Sequence, residues 1–223
     1  MPRLRGFIKP AELEAMAQAF LAKHHPGMSL PVPIDVIAEH DLGLSITPLP
    51  GLSTTWGIEA YLSFGGQEIV VDEGLLSKSN ERRYRFTIGE EVAHFMLHLD
   101  LVPKDITTLE QYLAFRERLD GRDESRYDWQ AKNLAGRILV PEAPLVAIAS
   151  EELARVQKRF PTLIGKDTST ICRAIAMGAA KPFNVSDDTV RIRLVGDGVC
   201  QRLGLIRPDG GGSFTGNFRR PGA

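Results

Sequence analysis

The sequence has little of what most readily betrays a function. Only two cysteines occur in 223 residues, Cys172 and Cys200, far apart and in no C-x-x-C pattern. This is neither a disulfide framework nor a zinc knuckle, so a reducing cytoplasm is the expected setting. No apolar run approaches the length that spans a bilayer. The opening residues, Met1 to Gly6, lead into a charged helical pattern rather than the apolar stretch of a signal peptide. The expectation is a soluble, cytoplasmic protein with no membrane partner. Neither sign of charge is in excess: 27 Lys and Arg stand against 28 Asp and Glu, for a net charge of -1. That balance gives no general reason to bind nucleic acid or an anionic surface.

What is present is an ordinary globular composition, 43% hydrophobic and 25% charged, in a chain long enough to bury a sizeable core. Pro10 suits the first position of a helix, and Leu13, Met16, Ala17, Phe20 and Leu21 follow on one face until His24-His25-Pro26-Gly27. A short helix is expected over 33–43, closed by Gly43, and then a strand over 44–47. Two β-favouring runs, 58–64 and 67–71, flank Gly65-Gly66 and predict a hairpin. Ser77 to Asn80 offers caps for a helix over 81–101. Further helices are expected over 106–119, 126–139, 142–160 and 168–180, and a last one from near Ser186, which can cap it, with Asp187 and Asp188 suited to the first turn. The fold class is α+β, with a small antiparallel or mixed sheet packed on one helix and a mostly helical C-terminal half. Residues 1–205 read as a single domain and residues 206–223, rich in Gly, Pro and Arg, as a flexible tail.

The segment Arg85-Phe-Thr-Ile-Gly-Glu-Glu-Val-Ala-His-Phe-Met-Leu-His98 carries the chemistry. On a helix, Glu90, His94 and His98 stack at intervals of four residues, and Glu91 is a near neighbour of His94. In the H-E-x-x-H helix of zinc peptidases, two histidines hold the metal and the glutamate between them takes a proton from the metal-bound water. Here the five residues are Glu90-Glu91-Val92-Ala93-His94, with a carboxylate in the first ligand position. His94 and His98, also four apart, form an alternative pair, although Phe95 would then stand where the base belongs.

The same segment resembles the signature of the ImmA/IrrE metallopeptidases, R-F-T-I-A-H-E-L-G-H-Y-L-L-H. Similarity extends to Pro31 to Gly43, to Ile69-Val-Val-Asp72, and to Asp128-Trp-Gln-Ala-Lys-Asn-Leu-Ala-Gly-Arg-Ile-Leu-Val-Pro141, which is similar to the family's second motif. Ala180 to Leu194 is similar to its closing segment, so the resemblance covers roughly residues 10–204. It implies a metal-dependent peptidase that acts on a regulatory protein such as a transcriptional repressor or an antitoxin-like regulator. Glu90, His94 and Asp128 would hold the metal and Glu91 would be the general base. Zinc is the implied metal, but one imidazole and two carboxylates shift preference toward manganese or iron. The resemblance also implies that the strand over 67–71, if at a sheet edge, aligns an extended peptide.

Glu90 supports a second expectation from another class, a peptidase-like scaffold without catalysis or metal that binds a protein partner in regulation. A third is direct DNA binding, because residues 171–194 have a helix-turn-helix rhythm. Arg191 and Arg193 there are offset by Asp187 and Asp188, which argues against phosphate contacts.

Overall fold

A computed structural model describes residues 6–63, 65–101, 106, 108–117, 121–163 and 167–205. The expected tail, 206–223, lies outside the described residues. Two compact units are distinguished, a finer division than the single domain suggested by sequence. The first comprises the chain up to Pro141 with Phe183–Val185, and the second comprises Glu142–Pro182 with the chain from Ser186 onward.

In the first unit, α1 (Pro10–His24) buries Leu13, Ala17, Phe20 and Leu21 and begins with its proline at the first turn. Here the apolar spacing alone locates both the helix and its inward face. The next helix is shorter and less regular than expected. A single turn, α2 (Ile34–Val36), passes into a wider π-type turn over Ile37–Asp41, and Gly43 follows with φ +69°. Strand β1 (Ser45–Leu49) is followed by a helix absent from the sequence expectation, α3 (Leu52–Trp56), set between Gly51 and Gly57, both left-handed. The expected hairpin is formed by β2 (Ala60–Leu62) and β3 (Glu68–Asp72), which run antiparallel. Gly66 supplies the positive φ that the turn requires. A Cβ there would also collide with Leu99.

The sheet order is β1-β3-β2, with β1 parallel to β3. This corrects one expectation: β3 is the central strand, so it offers no edge for an added peptide. Its Ile69, Val70 and Val71 are buried, as a strand covered by neighbours on both sides demands. The edges belong to β1 and β2. In β1, the Ser45 amide donates to the Gln67 carbonyl of the neighbouring chain segment, so by alternation Pro48 faces away from β3.

The helix α4 (Glu81–His98) is continued by a 3-10 turn to Leu101. Asn80 does not cap it, and its side-chain amide instead donates to the Gly74 carbonyl. Next come α5 (Leu109–Glu117) and α6 (Gly121–Leu139). The latter starts five residues before the expected 126, so Asp128 lies inside a helix and not in its first turn. Helices α4, α6 and α1 form the packed layer of this unit. Gly89 permits the approach of α6, since a Cβ at Gly89 would stand 3.1 Å from Leu139 Cδ1 and 3.6 Å from Ala135 Cβ. Arg85 is buried, and its guanidinium donates to the Val32 carbonyl at 2.6 Å and to the Asn184 carbonyl at 3.3 Å.

The second unit is helical. It contains α7 (Glu142–Arg159), most of α8 (Thr168–Phe183), α9 (Asp187–Gly196) and α10 (Val199–Arg202). Helix α8 runs three residues past the expected Ala180 and tolerates Pro182 in its last turn. Asn184 then takes the left-handed conformation, φ +51°. Ser186 caps α9 as expected, its hydroxyl accepting from the Thr189 amide. No helix among the described residues is long and apolar enough to cross a membrane.

Candidate functional site: a charged cluster where a metal was expected

A helix rarely buries several ionisable side chains together, because removing an ion from water is costly without a partner. The middle of α4 departs from that pattern. Glu91, His94 and His98 are all buried and Glu90 is partly so. They face β2 and α6: a narrow cleft with room for about one water is lined by Leu62, Ser63, His94, His98, Leu99, Tyr112 and Tyr127.

Burial sets the protonation states. Glu91 is pushed up to about 8, chiefly by burial and then by the neighbouring Glu90 charge, with Arg116 and the Leu62 backbone amide acting in the opposite direction. Glu90 is pushed up to about 7, again by burial first, against the attraction of Lys132. His94 is held well below its ordinary value by burial, with His98, Arg116 and Lys132 adding to the effect. It is therefore neutral near pH 7. His94 Nδ1 is 2.9 Å from His98 Nδ1, and His98 Nε2 is 3.0 Å from Gln130 Oε1. Gln130 in turn donates to the Gly6 carbonyl. Tyr127 covers both imidazoles, with ring centroids 4.4 Å from His94 and 4.2 Å from His98. His98, the second member of the alternative histidine pair, is thus bonded at both ring nitrogens.

The two acidic candidates are engaged by cations. Asp128 Oδ1 accepts from Arg116 at 2.8 Å, and Glu90 lies 3.8 Å from the Lys132 ammonium. Lys132 and Asp128 stand one turn apart on α6, while Arg116 comes from α5 and also lies over the Tyr127 ring. No family model matches this chain, and no curated protein matches it either.

Among the described residues, no group of three or more His, Cys, Asp or Glu side chains is arranged to hold a metal ion. Glu90 and Asp128 are each paired with a cation, and one ring nitrogen of His94 is turned to His98. Glu91 and His94, by contrast, are brought together beside β2. Sequence reasoning missed Arg116, Tyr127, Gln130 and Lys132. One signal was available: Lys132 follows Asp128 by four residues, the spacing of a helical ion pair. A second lay in the motif itself, since two carboxylates replacing one imidazole and one carboxylate call for added positive charge.

The arginines of the possible helix-turn-helix are also accounted for. Arg191 is 3.0 Å from Asp188, and buried Arg193 pairs with Asp197.

Proposed function

We propose that this protein is a peptidase-like binding scaffold of the ImmA/IrrE type, in which side-chain cations occupy the electrostatic role of a metal. Its partner would be a cytoplasmic regulatory protein, such as a transcriptional repressor or an antitoxin-like regulator. The observation that supports this reading is the pairing of Glu90 with Lys132 and of Asp128 with Arg116. Two monovalent cations carry the charge of one divalent ion, so the cluster is neutralised from within. An extended segment of the partner would pair with β2, whose outer side has no strand neighbour among the described residues.

The metal-dependent peptidase is the second reading, favoured by the retention of Glu91 and His94 side by side and buried near that same edge. Elemental mass spectrometry separates the two. Untagged protein is incubated in turn with zinc, manganese and ferrous iron, desalted, and compared with His94→Ala. The scaffold reading expects far less than one equivalent of each metal in both proteins. One equivalent in the wild type, lost in the variant, would overturn it and restore the peptidase.

A further inference from the structure

The sequence contains two cysteines, and folding brings them together in the second unit. Cys172 lies in the second turn of α8 and Cys200 in α10. Their sulfurs are 2.7 Å apart, across 28 residues of chain, and both side chains are buried, at 3% and 0% exposure. They are free thiols. Two sulfurs at this separation lie inside their ordinary van der Waals contact. Closing to a bond of about 2.05 Å requires a movement of only about 0.7 Å. The pair shares no residue with the cluster around Glu90.

We propose that Cys172 and Cys200 are a redox modification site, a thiol pair that a peroxide converts into an intramolecular disulfide fastening α10 to α8. In the first step one thiolate attacks a peroxide oxygen, the O–O bond breaks, hydroxide leaves and a sulfenic acid forms. In the second, the other thiolate attacks that sulfur, the S–S bond forms and the S–O bond breaks, releasing a second hydroxide. The two thiol protons convert both hydroxides to water, and the peroxide takes up the two electrons that the sulfurs lose.

The shared hydrogen bond prepares the pair for this sequence. Either sulfur can donate, so whichever thiol accepts the shared hydrogen is the one favoured as thiolate. Access is provided by α10 itself, a four-residue helix held by burial of Val199 and Cys200. The carbonyl of Leu205, just beyond it, accepts a hydrogen bond from Thr168 at the start of α8. Such a short element opens more readily than a long one. In a reducing compartment the pair stays as thiols until an oxidant appears, which makes the bond a response and not a permanent staple.

The test uses the full chain, reduced, freed of reductant and treated with hydrogen peroxide. The expected result is a mass loss of two hydrogens, disappearance of both titratable thiols after denaturation, and a Cys172–Cys200 cross-linked peptide. All three reverse with dithiothreitol. Amide exchange in α10 is expected to slow on the order of 100-fold in the oxidised form, the scale of closing a loop of this length. Oxygen added to either cysteine without a cross-link would overturn the proposal. So would covalent dimers, or thiols that survive peroxide levels sufficient to consume an unstructured cysteine peptide. Cys200→Ser must abolish the intramolecular cross-link. An identical mass loss in that variant would equally refute the assignment.

Discussion

Replacing Glu91 by glutamine keeps the shape of the side chain and removes its titration, which isolates the cost of a buried carboxylate in α4. In the folded protein Glu91 is pushed from 4.5 up to about 8. The folded state therefore holds a proton that the unfolded chain has already released, and stability falls as pH rises from about 4.5 to about 8. Each unit of that window is worth about 1.4 kcal/mol, so the ceiling on the penalty by pH 8 is about 5 kcal/mol. Reorientation of Arg116 and entry of water would reduce it, and about 2 kcal/mol is the expected remainder. Glu91→Gln should then match the wild type at about pH 5 and exceed it by about 2 kcal/mol at about pH 8.5. Urea unfolding in the presence of a chelator reads this difference. Tryptophan fluorescence is the appropriate signal, because Trp56 and Trp129 both lie in the first unit. A variant equal to or weaker than wild type at the higher pH would refute the account of Glu91 as a desolvated acid.

Two further predictions probe the frame that holds the cluster. Gly89→Val places two methyl groups beyond a Cβ already 3.1 Å from Leu139, and overpacking should lower stability by about 2–3 kcal/mol. Gly89→Ala, which gains helix propensity, should stay within about 1 kcal/mol of wild type by the same urea titration. Arg85→Met leaves the buried Val32 carbonyl without its 2.6 Å donor. A loss of about 2–3 kcal/mol is expected, and an unchanged thermal midpoint would show that the carbonyls of Val32 and Asn184 find other donors.

Local signals carried α1, the hairpin and the Ser186 cap, because each depends on residues adjacent in the chain: Pro10 and its apolar spacing, Gly66 in the turn, a hydroxyl three residues before its amide. The α+β class followed from them. The central position of β3 did not, since it requires β1 to pair in parallel across the intervening α3 and β2. Helix α3 was hidden by residues of low helix propensity, Ser53-Thr54-Thr55, and is bounded by two left-handed glycines. The early start of α6 at Gly121 had no apolar rhythm to announce it. At the site, the spacing of Glu90, Glu91, His94 and His98 on one helix was legible. Their partners were less so, because Arg116 and Lys132 reach the carboxylates from α5 and α6.

Pro48 in β1 makes the two sides of the sheet unequal in a way that concerns assembly. The outward side of β1 lacks the amide that a docking strand would need at that position, whereas β2 contains no proline, although its Leu62 amide is turned to Glu91. If two molecules meet through β2, each closes the other's open side, and a third finds only the proline-bearing rim. Association by strand pairing would thus stop at a pair and could not propagate into a filament.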